Sequence, residues 1–232
     1  MQADGCVRIG VIDSGLATAL GAHCEGCAGF KIHDHALWQT APGEDLLGHG
    51  TRVAEILVDQ VPSVRLWMAQ VFQTRAITTP TQVAAAIDWL VAQRVELINL
   101  SLGLHRDSEV LRQACYRALR AGTLLCAASP ARGEPTFPAC YPGVFRMTGD
   151  ARCARDEISH LDTAYADFGA CVLPINGERR HAGASLGCAH LSARIANYLS
   201  AGGERRPSRV RDWLMAEASY RGPEQRRAGE GQ

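Results

Sequence analysis

Two apolar rhythms alternate along this chain. Residues 7–12, 64–71, 97–100 and 123–127 are short aliphatic or β-branched runs, and the first, third and fourth are almost unbroken, as strands are in a sheet covered on both faces. Between them the apolar residues recur at helical spacing. Residues 82–93 set Val83, Ile87, Leu90 and Val91 on one face, and residues 108–121 do the same with Leu111, Ala114, Cys115 and Ala118. For the second of these helices, Asp107 is the expected N-cap and Gly122 the stop. Strand and helix in alternation predict right-handed crossovers, hence an α/β fold of three α/β/α layers around a mostly parallel central sheet. Ligands of such sheets bind at the carboxyl ends of the strands. Asp13, Ser101-Leu102-Gly103 and Ser129-Pro130 each follow a strand directly and so belong to one rim.

Two stretches keep neither rhythm. Residues 16–46 are rich in Gly, Ala and His, residues 130–142 hold four prolines, and both are expected to be irregular rims or lids. The polar end is expected to fray, giving one domain over residues 1–220 and a tail over 221–232.

Composition narrows the classes of function. At 232 residues and 47% hydrophobic, the chain has the material for one full core. Its 24 basic and 24 acidic side chains give a formal net charge of zero, which argues against nucleic acid or an anionic membrane as a partner. No run approaches the ~20 apolar residues that cross a bilayer. Residues 1–4 leave no room for a signal peptide before the first strand, and nine irregularly spaced cysteines fit a reducing compartment, here the cytoplasm.

Three glycine-flanked segments carry the chemistry. Val11-Ile12-Asp13-Ser14-Gly15 ends the first strand. Gly48-His49-Gly50-Thr51 opens a helical pattern through Val53, Ile56 and Leu57, and Gly183-Ala184-Ser185-Leu186 opens another through Cys188, Ala189, Ser192, Ile195 and Leu199. A serine hydroxyl becomes a nucleophile when an imidazole takes its proton, and the imidazole needs a carboxylate to fix its tautomer and stabilise its charged form. Ser185 is thus the candidate nucleophile, His49 the general acid and base, and Asp13 the orienting group. At a helix N-terminus, Ser185 also presents its own backbone N–H to a developing oxyanion.

In these segments, taken in this chain order, the sequence resembles the subtilisin-like serine proteases. The resemblance runs from about residue 7 to residue 200 and includes Ile98-Asn99-Leu100-Ser101-Leu102-Gly103, similar to the family's strand that pairs with an extended substrate. It implies a subtilisin-like fold, a serine endopeptidase acting through an acyl-enzyme without a cofactor, and a peptide or protein substrate lying along Ser101, Leu102 and Gly103. It also suggests a small intracellular member, without an evident prodomain, specialised to process modified peptides. The sequence departs from the family after residues 124–128. There the family places an asparagine whose amide donates to the oxyanion, whereas this chain reads Ser129-Pro130-Ala131-Arg132, and proline has no N–H to give. Losing such a donor lowers turnover roughly 10²–10³-fold. Ser129 or Arg132 is the candidate substitute. Arg52, Ala184 and Ala189 also depart from the family's residues, and none of them is a triad member. A peptide-binding pseudoprotease with an impaired oxyanion site is the alternative, and an esterase or acyltransferase on the same triad a third.

Cys24-Glu25-Gly26-Cys27 followed by His33-Asp34-His35 supplies ligand types that zinc uses. Cys24, Cys27, His33 and His35 are therefore candidate ligands of a structural metal, with free thiols or a local disulfide as the alternatives. His190 is expected to be a helix-packing histidine, and His105, His160 and His181 carry no assigned role.

Overall fold

The computed structural model describes residues 6–224. The stretch 1–4 and most of the polar tail discussed above lie outside the described residues. The sheet centres on β1 (Arg8–Asp13), with β4 (Arg65–Gln70) and β5 (Leu97–Leu100) hydrogen-bonded to it on either side, all parallel. Beyond β5 come β6 (Leu124–Ala128) and β7 (Phe145–Gly149), also parallel. Then β9 (Phe168–Ala170), β8 (Ile158–His160) and β10 (Tyr220–Arg221) close that edge. Beyond β4 lie β2 (Cys24–His33) and β3 (Ala36–Thr40).

Helices cover both faces. On one side α1 (His49–Gln60), α4 (Ala184–Ser200) and α5 (Pro207–Glu217) bury Val53, Leu57, Leu191, Ile195 and Leu214 against Ile9, Val11 and Met147. On the other side α2 (Pro80–Ala92) and α3 (Glu109–Arg120) bury Val83, Ile87, Leu90 and Leu111 against Ile12, Ile98 and Leu125. These are the three layers expected from the sequence. The middle strands are apolar on both faces because each face meets a helix.

The local differences have physical causes. Helix α2 starts two residues before the expected boundary, because Thr79 and Gln82 form a reciprocal capping box around Pro80. Ser108, not Asp107, is the N-cap position of α3. The Asp107 carboxylate instead accepts hydrogen bonds from the Tyr141 hydroxyl at 2.8 Å and from Arg112 at 3.1 Å.

The expected irregular stretch 16–46 contains the hairpin β2–β3, which turns at Asp34 and His35, both with positive φ. Neither turn residue is glycine, and β3 is exposed along most of its length, so the stretch shows no apolar alternation. Sheet pairing also runs past residue 220: Arg221 lies opposite His160, and the Gly222 N–H donates to the His160 carbonyl at 2.9 Å.

Candidate active site

The rim predicted from strand order carries the site. Asp13 ends β1, fully buried, and His49 is the first residue of α1. The imidazole Nδ1 lies 2.7 Å and 2.9 Å from the two Asp13 carboxylate oxygens. Such contact with an acceptor-only group fixes Nδ1 as the protonated nitrogen and leaves the lone pair of the neutral ring on Nε2. The His49 side chain is 32% exposed and that of Asp13 0%. Burial alone would push the imidazole pKa down, but the hydrogen bond and charge of Asp13 outweigh it and hold the pKa above its ordinary value.

Ser185 stands in the first turn of α4 beside β5. Its hydroxyl donates to the Ser101 carbonyl at 3.1 Å, and its own carbonyl accepts from the Ser101 hydroxyl at 3.1 Å. The Ser185 hydroxyl hydrogen is thus engaged on Ser101 and not on His49. Active-site hydrogen bonds often tighten only when substrate arrives.

His49, Ser185, Ser101, Leu102 and Gly103 line one cleft of about 850 Å³. Pro130 and Arg132 line it as well. Ser129, read from the sequence as a candidate oxyanion donor, is buried with its hydroxyl on the Tyr165 carbonyl at 2.6 Å and its N–H on the Met147 carbonyl at 2.7 Å. Both its donors are engaged, so it fastens the end of β6 and offers no hydrogen to the cleft.

Residues with no positioning role assigned from the sequence hold these groups in place. The Asp45 carboxylate accepts from the Gly48 N–H (2.9 Å), the Thr51 N–H (2.9 Å), the Thr51 hydroxyl (2.6 Å) and the Ser14 hydroxyl (2.7 Å). It thereby caps α1 and ties it to the residue after Asp13. Ser14 Oγ in turn accepts the Gly50 N–H at 2.9 Å. Burial would raise the Asp45 pKa, but the hydroxyl and backbone donors prevail and lower it.

Gln70, buried at the end of β4, donates to the Ser14 carbonyl at 2.7 Å and accepts the Gly43 N–H at 2.7 Å, anchoring the loop that carries Asp45. On the other side of β1, Ser192 donates to Asn99 Oδ1 at 2.9 Å and Asn99 Nδ2 donates to Ser101 Oγ at 2.8 Å, all buried. The chain from Ser192 through Asn99 and Ser101 to the Ser185 carbonyl fixes α4 against β5. The signal was present: Asn99 and Gln70 are polar residues inside otherwise apolar strands, and such residues are kept inside only with partners.

Two glycines permit the close approaches that bring the elements together. A Cβ on Gly50 would lie 2.3 Å from the Gly15 carbonyl oxygen, and one on Gly187 would lie 2.2 Å from that of Thr148. His190 is buried and joins α4 to α1 and to the segment before it. Its Nδ1 lies 2.7 Å from the Gln60 amide nitrogen and its Nε2 is 2.8 Å from the Leu173 carbonyl oxygen.

The zinc arrangement does not assemble. Cys24 and Cys27 meet at the start of β2, whereas His33 is at its far end and His35 is in the following turn. Among the described residues no group of three or more His, Cys, Asp or Glu side chains is placed to hold a metal ion. No helix among the described residues is long and apolar enough to cross a membrane.

Comparison with known proteins agrees with this architecture. The chain is 31% identical over 154 residues to the minor extracellular protease Epr of Bacillus subtilis, a match covering 61% of this chain and 23% of Epr. The match thus spans less than a quarter of that relative's length. The fold is shared with a cold-adapted subtilisin-like serine proteinase (TM-score 0.66, 21% identity, 94% of this chain and 86% of the other). It is shared also with the prenylagaramide maturation protease PagA (TM-score 0.64, 17% identity, 92% and 84%). A sequence model of the subtilase family matches residues 5–231, and the chain belongs to that family.

Proposed function

We propose that the chain is a serine endopeptidase in which Ser185 is the nucleophile, His49 the general acid and base, and Asp13 the group that orients and charges the imidazole. The observation that carries this reading is the 2.7 Å contact of a fully buried Asp13 with His49 Nδ1, in a cleft that also holds Ser185 at the start of a helix.

An extended peptide lies along residues 101–103 as an added strand, with its scissile carbonyl over Ser185. The serine turns from the Ser101 carbonyl to His49 Nε2, gives up its proton and attacks. The oxyanion that forms faces the N-terminus of α4 and the Ser185 N–H. His49 then protonates the leaving amine, and water, deprotonated by the same imidazole, releases the acyl group.

Pro130 stands where the family supplies a second oxyanion donor, which sets turnover roughly 10²–10³-fold below that of an enzyme with the full pair. A slow enzyme suits selective peptide processing, and the PagA maturation protease shares this fold. Nine free thiols favour a reducing compartment, the cytoplasm.

The test is incubation of the protein and its Ser185→Ala variant with a mixed peptide library, read by mass spectrometry. Cleavage by the wild type alone supports the proposal. Peptide retention with no cleavage by either protein overturns it in favour of a binding role.

A further inference from the structure

At the start of β2 the strand carries a fault with chemical consequences. Cys24 lies opposite Leu66 of β4, Gly26 opposite Trp67 and Cys27 opposite Met68, so Glu25 is the extra residue of a β-bulge. In a regular strand, residues three apart point to opposite faces. The inserted Glu25 resets the alternation, so Cys24 and Cys27 stand opposite Leu66 and Met68, which share a face. Their sulfurs are 3.0 Å apart, an approach that a small side-chain movement converts to the ~2.05 Å of a disulfide. Cys27 is exposed and Cys24 half-buried, so the pair is open to a small reagent.

The two thiols are not equivalent. The hydrogen bond from Cys27 is the largest influence on Cys24. With help from the Gly26 and Met68 backbone and against desolvation, it lowers the Cys24 pKa to about 7. Cys27, holding the shared proton, is raised. Burial pushes Cys115, Cys126 and Cys153 up to about 12 and Cys188 well above its ordinary value. A thiolate near neutral pH is thus available at Cys24 and withheld at these four.

We propose that Cys24 and Cys27 are a reversible redox site, oxidised by low-molecular-weight disulfides of the glutathione class. The Cys24 thiolate attacks one sulfur of the oxidant, forming a mixed disulfide and expelling one thiolate. Cys27 then attacks the Cys24 sulfur, closing the Cys24–Cys27 bond and expelling the second. Two electrons pass from the protein to the oxidant, and the two cysteine protons end on the two released thiols. The closed ring spans only Glu25 and Gly26, a loop too short to restrict the unfolded chain much, so the bond opens readily under reducing conditions rather than serving as a structural staple.

The test is mass analysis of folded protein treated with oxidised glutathione near neutral pH, alkylated with iodoacetamide and digested. The peptide holding Cys24 and Cys27 should be lighter by two hydrogens, unalkylated, and restored by dithiothreitol. In Cys27→Ser the reaction should stop at a glutathione adduct on Cys24, and in Cys24→Ser the attack should slow by about threefold or more. Alkylation of both cysteines after treatment of the wild type, or a lasting glutathione adduct on Cys24 with Cys27 present, would overturn the proposal. The mass readout requires no peptidase activity, so it stands or falls apart from the reading of the cleft.

Discussion

Replacing Asp45 by asparagine isolates the hub that joins the aspartate strand to the histidine helix. One carboxylate oxygen serves the Gly48 N–H and the Ser14 hydroxyl, and the other serves the Thr51 N–H and hydroxyl. An amide keeps one of these oxygens and turns an NH₂ toward the other pair. The Thr51 hydroxyl can reverse and accept, but the Thr51 N–H cannot. An orphaned N–H costs about 1–3 kcal/mol, and removing the negative charge that faces the N-terminus of α1 from the preceding loop adds about 0.3–1 kcal/mol. The expected loss is about 1–4 kcal/mol, a fall in Tm of about 3–15 °C for a domain of this size.

The pH dependence gives a second reading of the same contact. The folded-state pKa of Asp45 is lowered, so its ionised form stabilises the fold above the unfolded value of about 3.9, and that contribution fades as pH falls through the folded pKa. The gap between wild type and Asp45→Asn should therefore be full at neutral pH and narrow in acid. Because His49 begins α1, kcat should also fall about tenfold to a hundredfold with KM little changed. Urea unfolding across pH and steady-state peptidase assays make the check. Equal stability at pH 7, or a gap constant into acid, would refute the role given to Asp45.

Three further outcomes are expected. Gly187→Ala drives a Cβ against the Thr148 carbonyl and should cost about 3 kcal/mol or more, measured by denaturant unfolding, because backbone cannot step aside as a side chain can. Ser192→Ala leaves Asn99 Oδ1 buried without its donor and should cost about 1–3 kcal/mol by the same assay. Asp13→Asn should lower kcat about 10⁴-fold. It should also move the acid limb of the kcat/KM profile to lower pH, since Asp13 is what holds the imidazole pKa up. In the wild type that limb, where the base is lost to protonation, should lie above the ordinary histidine value of about 6.5. For the same reason, the stability gained from the charged His49–Asp13 pair should be present below about pH 6.5 and disappear as pH rises through the raised pKa.

The parts of the fold written in local sequence were legible, and the parts made by distant partners were not. Four short apolar runs, three of them nearly unbroken, and two amphipathic helices gave the layers, because each buries a continuous face. The placement of Asp13, His49 and Ser185 at strand and helix ends was legible because their flanking glycines mark where backbone passes close. The strands β7 to β10 have two to five residues each, too short for periodicity to stand out. The β2–β3 hairpin was hidden by a turn of Asp34 and His35 in place of glycine. Asp45 gave no sign because its four donors come from residues before and after it that only the folded loop gathers. The spacing of Cys24 and Cys27 was visible, but the bulge that turns both sulfurs to one face belongs to pairing with β4.

In the proposed mechanism the imidazole of His49, held by Asp13, activates the hydroxyl of Ser185. Treatment of the native protein with a fluorophosphonate, followed by peptide mapping, tests it most directly. A single adduct on Ser185, absent from Ser185→Ala and greatly slowed in Asp13→Asn, is the predicted result. A native protein that takes up no reagent, or takes it up on another residue, would contradict the account.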